Sequence, residues 1–292
     1  VEGIWFDIRL PDGIAKAVHE IALRSPTAPV AVRSLAVAPW LTSMPVTTFG
    51  RAAHEEAEKT LFLHMIPSVQ YRDGKISGLA SSSEEKLREA VGRYASLYRA
   101  QVELAAEHFL SIAFARFDAE TLLHSIGRPS WMDPRRLPWL ARASERFAEQ
   151  DFVSCGAIIL TQYEGALRDL ARASGYHAIK YDAGVTQDET LNSLLRLPLV
   201  RDLLGEAHAW FVEYLLCRPD MGPNLRNELA HGSLDARELR PGTVFLVWAL
   251  LVRLALHPRG DDAEPAGPEN PPGADAEPAD RGEPIDANDD GA

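Results

Sequence analysis

The stretch SSSEEKLREAVGRYASLYRAQVELAAEHFLSIAFARF, residues 81–117, decides the fold class. Its apolar positions, among them Leu87, Val91, Tyr94, Tyr98, Val102 and Phe109, recur at spacings of three and four, which places them on one face of a long α-helix. Ser81-Ser82-Ser83-Glu84 supplies the hydroxyls that accept from the first unpaired N–H groups of such a helix, so it starts there. After a break at Gly127-Arg128-Pro129-Ser130 the same periodicity returns, predicting helices over 135–149, 152–174, 190–195, 199–217, 224–231 and 243–257. Gly175 and Gly232 stand where C-terminal caps fall. The last of these helices, with Val244, Phe245, Val247, Trp248, Leu250 and Leu251, is apolar nearly all round. It is short and carries Arg253, so it reads as a buried core helix rather than a membrane span.

Upstream the pattern is harder to read. Pro11, Pro26, Pro29, Pro39 and Pro45 interrupt residues 1–50 and leave one predicted helix over 14–24, followed by another near 51–63. Residues 68–79 read as a β-hairpin, with Val69, Tyr71, Ile76 and Leu79 flanking Asp73-Gly74, a turn pair that tolerates positive φ. At the other end, residues 259–292 repeat Pro, Gly, Ala and acid with almost no large apolar side chain, the composition of a disordered tail. The organisation is therefore mainly α: an N-terminal helical region with one short hairpin (1–130), a helical bundle (131–258) and an acidic tail (259–292).

Composition narrows the function classes. At 292 residues, 46% apolar and 25% charged, the chain is an ordinary globular one. Of its formal charge of −12, the tail contributes −9 through eleven Asp/Glu and two Arg, which leaves −3 for residues 1–258. There is no P-loop, GxGxxG or HExxH, and no run of eighteen apolar residues. Two cysteines, Cys155 and Cys217, exclude a disulfide scaffold and a four-thiolate zinc site. They fit a reducing cytoplasm and read as small buried hydrophobes. A chain starting at Val1, with neither Met nor a charged-then-apolar leader, reads as a fragment rather than a secreted precursor.

The chemistry gathers in Gly222-Pro223-Asn224-Leu225-Arg226-Asn227-Glu228-Leu229-Ala230-His231-Gly232. Pro223 suits a helix start and Gly232 its exit. Asn227 and His231 lie four apart on one face, whereas Arg226 stands about 140° away round an ideal helix from His231. A cation, an amide and an imidazole on neighbouring turns are the parts needed to bind a phosphate and move a proton beside it. The spacing also permits a structural use: Arg226 pairing with Glu164 or an N-terminal acid, Asn227 capping, and His231 bonding a carbonyl.

Asn-Leu-Arg-Asn-x-x-x-His-Gly resembles the active-site pattern of the HEPN superfamily, and more narrowly the uncharacterised family defined by an RNxxxHG motif. The resemblance covers roughly residues 162–232, where Tyr163-Glu164-Gly165-Ala166-Leu167-Arg168 is similar to an E-x-x-x-R element of a preceding helix. It implies a HEPN-like helical bundle and metal-independent endoribonuclease activity in a homodimer whose two motif copies share a composite cleft. His231 would be the base, Arg226 the stabiliser of the phosphate and Asn227 the orienting group, with Glu164 and Arg168 in support. It implies no cofactor, no metal and RNA rather than DNA as partner. The alternative is a non-catalytic helical module binding RNA or a protein.

Competing signals are weaker. Arg172–His177 and Arg201–His208 satisfy the bare spacing but lack the flanking Asn and Gly. Glu228–His231 has the E-x-x-H spacing of di-iron bundles without a second copy. His54, His64, His108 and His124 are scattered, and Trp131, Trp139, Trp210 and Trp248 read as core.

Overall fold

The computed structural model describes residues 9–60, 67–72, 75–177, 179–182 and 185–258. The tail expected over 259–292, the turn pair Asp73-Gly74 and His64 lie outside the described residues. Among those described there are thirteen α-helices and four short strands, so the fold is mainly α. In chain order they are α1 (Asp12–Arg24), α2 (Ala28–Ala36), α3 (Pro39–Thr42), α4 (Val46–Lys59), β1 (Ser68–Arg72), β2 (Lys75–Ala80), α5 (Ser83–Ala113) and α6 (Ala119–Ile126). There follow α7 (Leu137–Ala148), α8 (Phe152–Ala173), β3 (Ile179–Asp182), β4 (Val185–Asp188), α9 (Leu191–Leu195), α10 (Pro198–Leu204), α11 (Glu206–Cys217), α12 (Leu225–Ala230) and α13 (Pro241–Ala255).

The long helix starts as its hydroxyls dictate. The Ser82 side chain accepts from the Glu85 N–H while the Glu85 carboxylate accepts from the Ser82 N–H, a reciprocal cap. The cluster of hydrogen bonds from Ser81 and Ser82 holds the Glu85 carboxyl at about 2. α13 forms the centre of the bundle: every residue from Gly242 to Val252 is buried, and the helix packs against α2, α3, α5, α6 and α8. Phe245 lies between Phe109 of α5 and Phe147 of α7, with ring centroids 5.3 and 6.2 Å away. The apolar core runs without a gap past Gly127–Ser130, from Leu35 and Phe109 on one side to Leu160 and Trp248 on the other.

The structure departs from the sequence expectations in three places. Pro29 and Pro39 begin helices α2 and α3 rather than break them, because a proline in the first turn forfeits an N–H that has no intrahelical partner anyway. The single helix predicted over 199–217 is two, α10 and α11, divided at Gly205, whose φ of +76° ends the first helix. A second hairpin, β3–β4, pairs Ile179 with Asp188 and Asp182 with Val185 where none was expected, beside the expected β1–β2 pair. No helix among the described residues is long and apolar enough to cross a membrane.

Candidate functional site

The motif residues sit on α12, a six-residue helix packed against α11 and α8. Its approach is set by Gly222: a Cβ there would lie 1.9 Å from the Tyr214 carbonyl oxygen, so only glycine lets the chain pass this close to α11. Asn224 then takes a left-handed conformation, φ 56° and ψ 34°, and precedes the first helical residue. Its buried amide accepts from Asn227 Nδ2 at 2.8 Å and donates to Glu228 Oε1 at 3.0 Å, stitching the first turn together. Asn227 is thus held from the N-terminal side. Leu225, fully buried, anchors the helix to the core.

Arg226 reaches from α12 to α8. Its Nε donates to Glu164 Oε2 at 2.7 Å and its Nη1 to Asn227 Oδ1 at 3.2 Å. Glu164 accepts on its other oxygen from Arg168 Nη2 at 2.9 Å, so one carboxylate is shared by two guanidinium groups. Arg168 also donates to the Glu189 carbonyl and approaches Asp188 at 3.9 Å, and Arg172 pairs with Asp188 at 2.7 Å. Glu164 is 10% exposed at its side chain and Arg226 27%, so the carboxylate is buried and only part of the guanidinium side chain meets solvent. Charge-assisted bonds of this kind are directional, and here they fix where α12 stands relative to α8.

The sequence grouped Arg226, Asn227 and His231 with Glu164 and Arg168 in support, and the structure joins four of these five, all but His231, by hydrogen bonds. His231 stands apart. It is the residue after the last helical turn, its backbone N–H donating to the Asn227 carbonyl, and its exposed ring has no hydrogen-bond or ion-pair partner among the described residues. Of the four arginines Arg168, Arg172, Arg218 and Arg226, three join the ionic seam, while Arg218 pairs with Asp220 and Glu213 elsewhere.

A cavity of about 650 Å³ adjoins α12, walled by Pro223, Glu228, Ser233, Asp235, Arg237 and Arg240 among others; neither Arg226 nor His231 lines it. Glu228 is engaged with Asn224 and with the Ser233 hydroxyl at 2.5 Å. No group of three or more His, Cys, Asp or Glu among the described residues is placed to hold a metal ion. Both cysteines are buried, and desolvation pushes each thiol up to about 12.

Two residues escaped the sequence reading. Trp139, read as core, is 58% exposed and walls a smaller cavity of about 260 Å³ with Asp133, Arg135, Arg136 and Gln162. His208, set aside as a weak spacing match, is 2% exposed and donates from Nδ1 to the Thr42 carbonyl. Its place, after Ala207 in a helix of apolar composition, was the available signal. Comparison of the chain with family models, curated proteins and solved structures finds no match.

Proposed function

We propose that this chain is a metal-independent endoribonuclease of HEPN type that acts in the cytoplasm as a homodimer with RNA as substrate. One observation carries the reading: at the end of α12 stands an exposed imidazole, His231, without a partner among the described residues, within two turns of a guanidinium, Arg226, that Glu164 fixes while leaving it access to solvent. In this reading His231 Nε2 or Nδ1 takes the proton of an RNA 2′-hydroxyl. The freed oxygen attacks the adjacent phosphorus, the bond to the 5′-oxygen breaks, and that oxygen takes a proton from solvent. The products are a 2′,3′-cyclic phosphate and a 5′-hydroxyl. Arg226 donates to the phosphate oxygens as charge builds on them. Asn227 keeps Arg226 in place through its Oδ1, and Arg168 supports Glu164. Neither Arg226 nor His231 walls the adjoining cavity, and in this reading a second copy of the chain closes the cleft over them.

The charge of Arg226 is already met by Glu164, and that favours a second reading: a helical module that binds RNA or protein without cleaving it. The two separate in one assay. The nuclease cleaves RNA in EDTA, leaves DNA intact for want of a 2′-hydroxyl, and produces cyclic-phosphate ends. His231→Ala then loses on the order of 100-fold or more in rate with an unchanged melting temperature. If wild type and variant both retain RNA uncut, the binding module stands and the nuclease does not.

A further inference from the structure

Trp139 is the one aromatic side chain among the large apolar groups left exposed in the described residues, although Leu140, Ala143 and Phe147 of the same helix are buried. It stands in a built cleft of about 260 Å³ rather than on a bare surface. One wall is the Arg136 guanidinium, which lies across α8 where Gly165 leaves room for it: a Cβ there would come within 1.9 Å of Nη1. Asp169, buried on α8, holds that guanidinium with both oxygens and also accepts from the Asp133 N–H at 3.0 Å. The remaining walls are Asp133, Arg135 and Gln162.

Donors outnumber acceptors in this cleft. The Gln162 amide oxygen already accepts from Arg136 Nη1 at 3.4 Å, and both Asp133 oxygens accept from Arg135. Gln162 Nε2, Trp139 Nε1 and Arg135 Nη1 have no partner among the described residues. The Arg135 side chain is 90% exposed, and an ion pair so open to water holds it weakly. Arg142 stands one turn further along α7 in a second surface pair. A flat π-face set among N–H donors matches a ligand that alternates flat rings with anionic oxygens. That is the chemistry of a single-stranded nucleic acid, whose bases stack on aromatic side chains and whose phosphates take arginine. A sugar or a peptide brings O–H or N–H donors of its own, and the cleft has few acceptors left for them.

The cleft and the candidate site share α8. Gln162 walls the first and Glu164, two residues on, fixes Arg226 in the second, so the two lie about 10–12 Å apart, a helix diameter. Guanidinium groups follow one another round the helix between them: Arg136 meets Asp169, Arg172 meets Asp169 and Asp188, and Arg168 meets Asp188 and Glu164. We infer that Trp139, with Arg135 and Gln162, is a stacking subsite for a base of the single-stranded RNA whose phosphate lies at Arg226. The inference rests on the RNA reading above for its ligand and adds a second point of attachment.

The test is binding of an oligouridylate of about ten nucleotides to the full chain, in the His231→Ala background so that the strand stays whole. It is followed by tryptophan emission and by the anisotropy of a dye on the strand. Stacking on Trp139 quenches the emission. Trp139→Ala removes that quench and weakens binding on the order of 10-fold, with an unchanged melting temperature because the side chain is exposed. Trp139→Phe keeps a ring and loses less affinity. Arg135→Gln weakens binding and lowers its dependence on salt, since one phosphate contact goes. If the wild type cuts no RNA while Trp139→Ala still costs that affinity, the nuclease reading falls and the subsite stands. If the wild type cuts RNA while the strand binds equally with and without Trp139, the subsite falls and the nuclease reading stands. No binding at all also overturns the subsite. So does an emission that shifts to shorter wavelength with protein concentration before RNA is added, as when a second copy covers the indole.

Discussion

Helix α8 meets its neighbours in two different ways. Ile159, Leu160, Ala166, Leu167 and Leu170 are fully buried among the side chains of the core, while Glu164, braced by Arg168, is joined to α12 by the ion pair to Arg226. Apolar burial is strong but non-directional, so it brings α8 and α13 together without specifying the position of a six-residue helix at the edge. The ion pair is weaker but directional, and it places α12. Removing a centre of the apolar side tests the first half of this contrast. Phe245→Ala leaves a cavity between Phe109 and Phe147 and lowers stability by about 3–5 kcal/mol in urea denaturation, loosening the whole fold. Removing the carboxylate tests the second. Glu164→Ala strips Arg226 of its anion while Arg168 keeps Asp188 within reach, at a cost of about 2 kcal/mol. In Glu164→Ala/Arg226→Ala much of that loss is recovered, because no uncompensated charge remains; simple additivity in the double-mutant cycle would refute the coupling.

The same contrast explains what could be read before the structure was known. Wherever burial repeats at helical spacing, as in residues 83–113 and 241–255, pattern alone located the element, since one face must leave water along its whole length. Elements set by a single residue were misjudged. Pro29 and Pro39 read as breaks because local sequence does not show whether a proline opens a helix or interrupts one. β3 and β4, four residues each, are too short for alternation to register. In the candidate site the link from Arg226 to Glu164 was legible as one of two uses of the same residues, while the position of His231 beyond the group was not, because it depends on where α12 ends. His208 was only weakly signalled: its apolar helical setting hinted at burial, but its Nδ1–H donates to the carbonyl of Thr42, the last residue of α3, 166 residues away in sequence.

That long-range closure gives the smallest of the expected effects and the most specific. In the unfolded chain His208 binds its proton at the ordinary value of about 6.5, whereas in the folded protein burial and Arg253 keep it unprotonated until about 3. Between those values the unfolded state holds more protons, so stability is fully present above about pH 6.5 and falls as the pH is lowered. From pH 6.5 to 5 the loss from this one residue is about 1.6 kcal/mol. The carboxyl groups of Glu85, Asp133 and Asp235, held at about 2, add their own loss as the pH falls through the ordinary carboxylate range toward that value. Urea denaturation at pH 6.5 and at pH 5 measures the difference, and His208→Gln, which keeps a donor for the Thr42 carbonyl but does not titrate, removes it. Because the imidazole belongs to neither the apolar face of α8 nor the ionic seam, the slope should survive unchanged in Glu164→Ala. A slope that changed with Glu164 would mean that the two regions are coupled through Tyr163, the residue next to Glu164 on α8, whose hydroxyl feels the charge of Arg253.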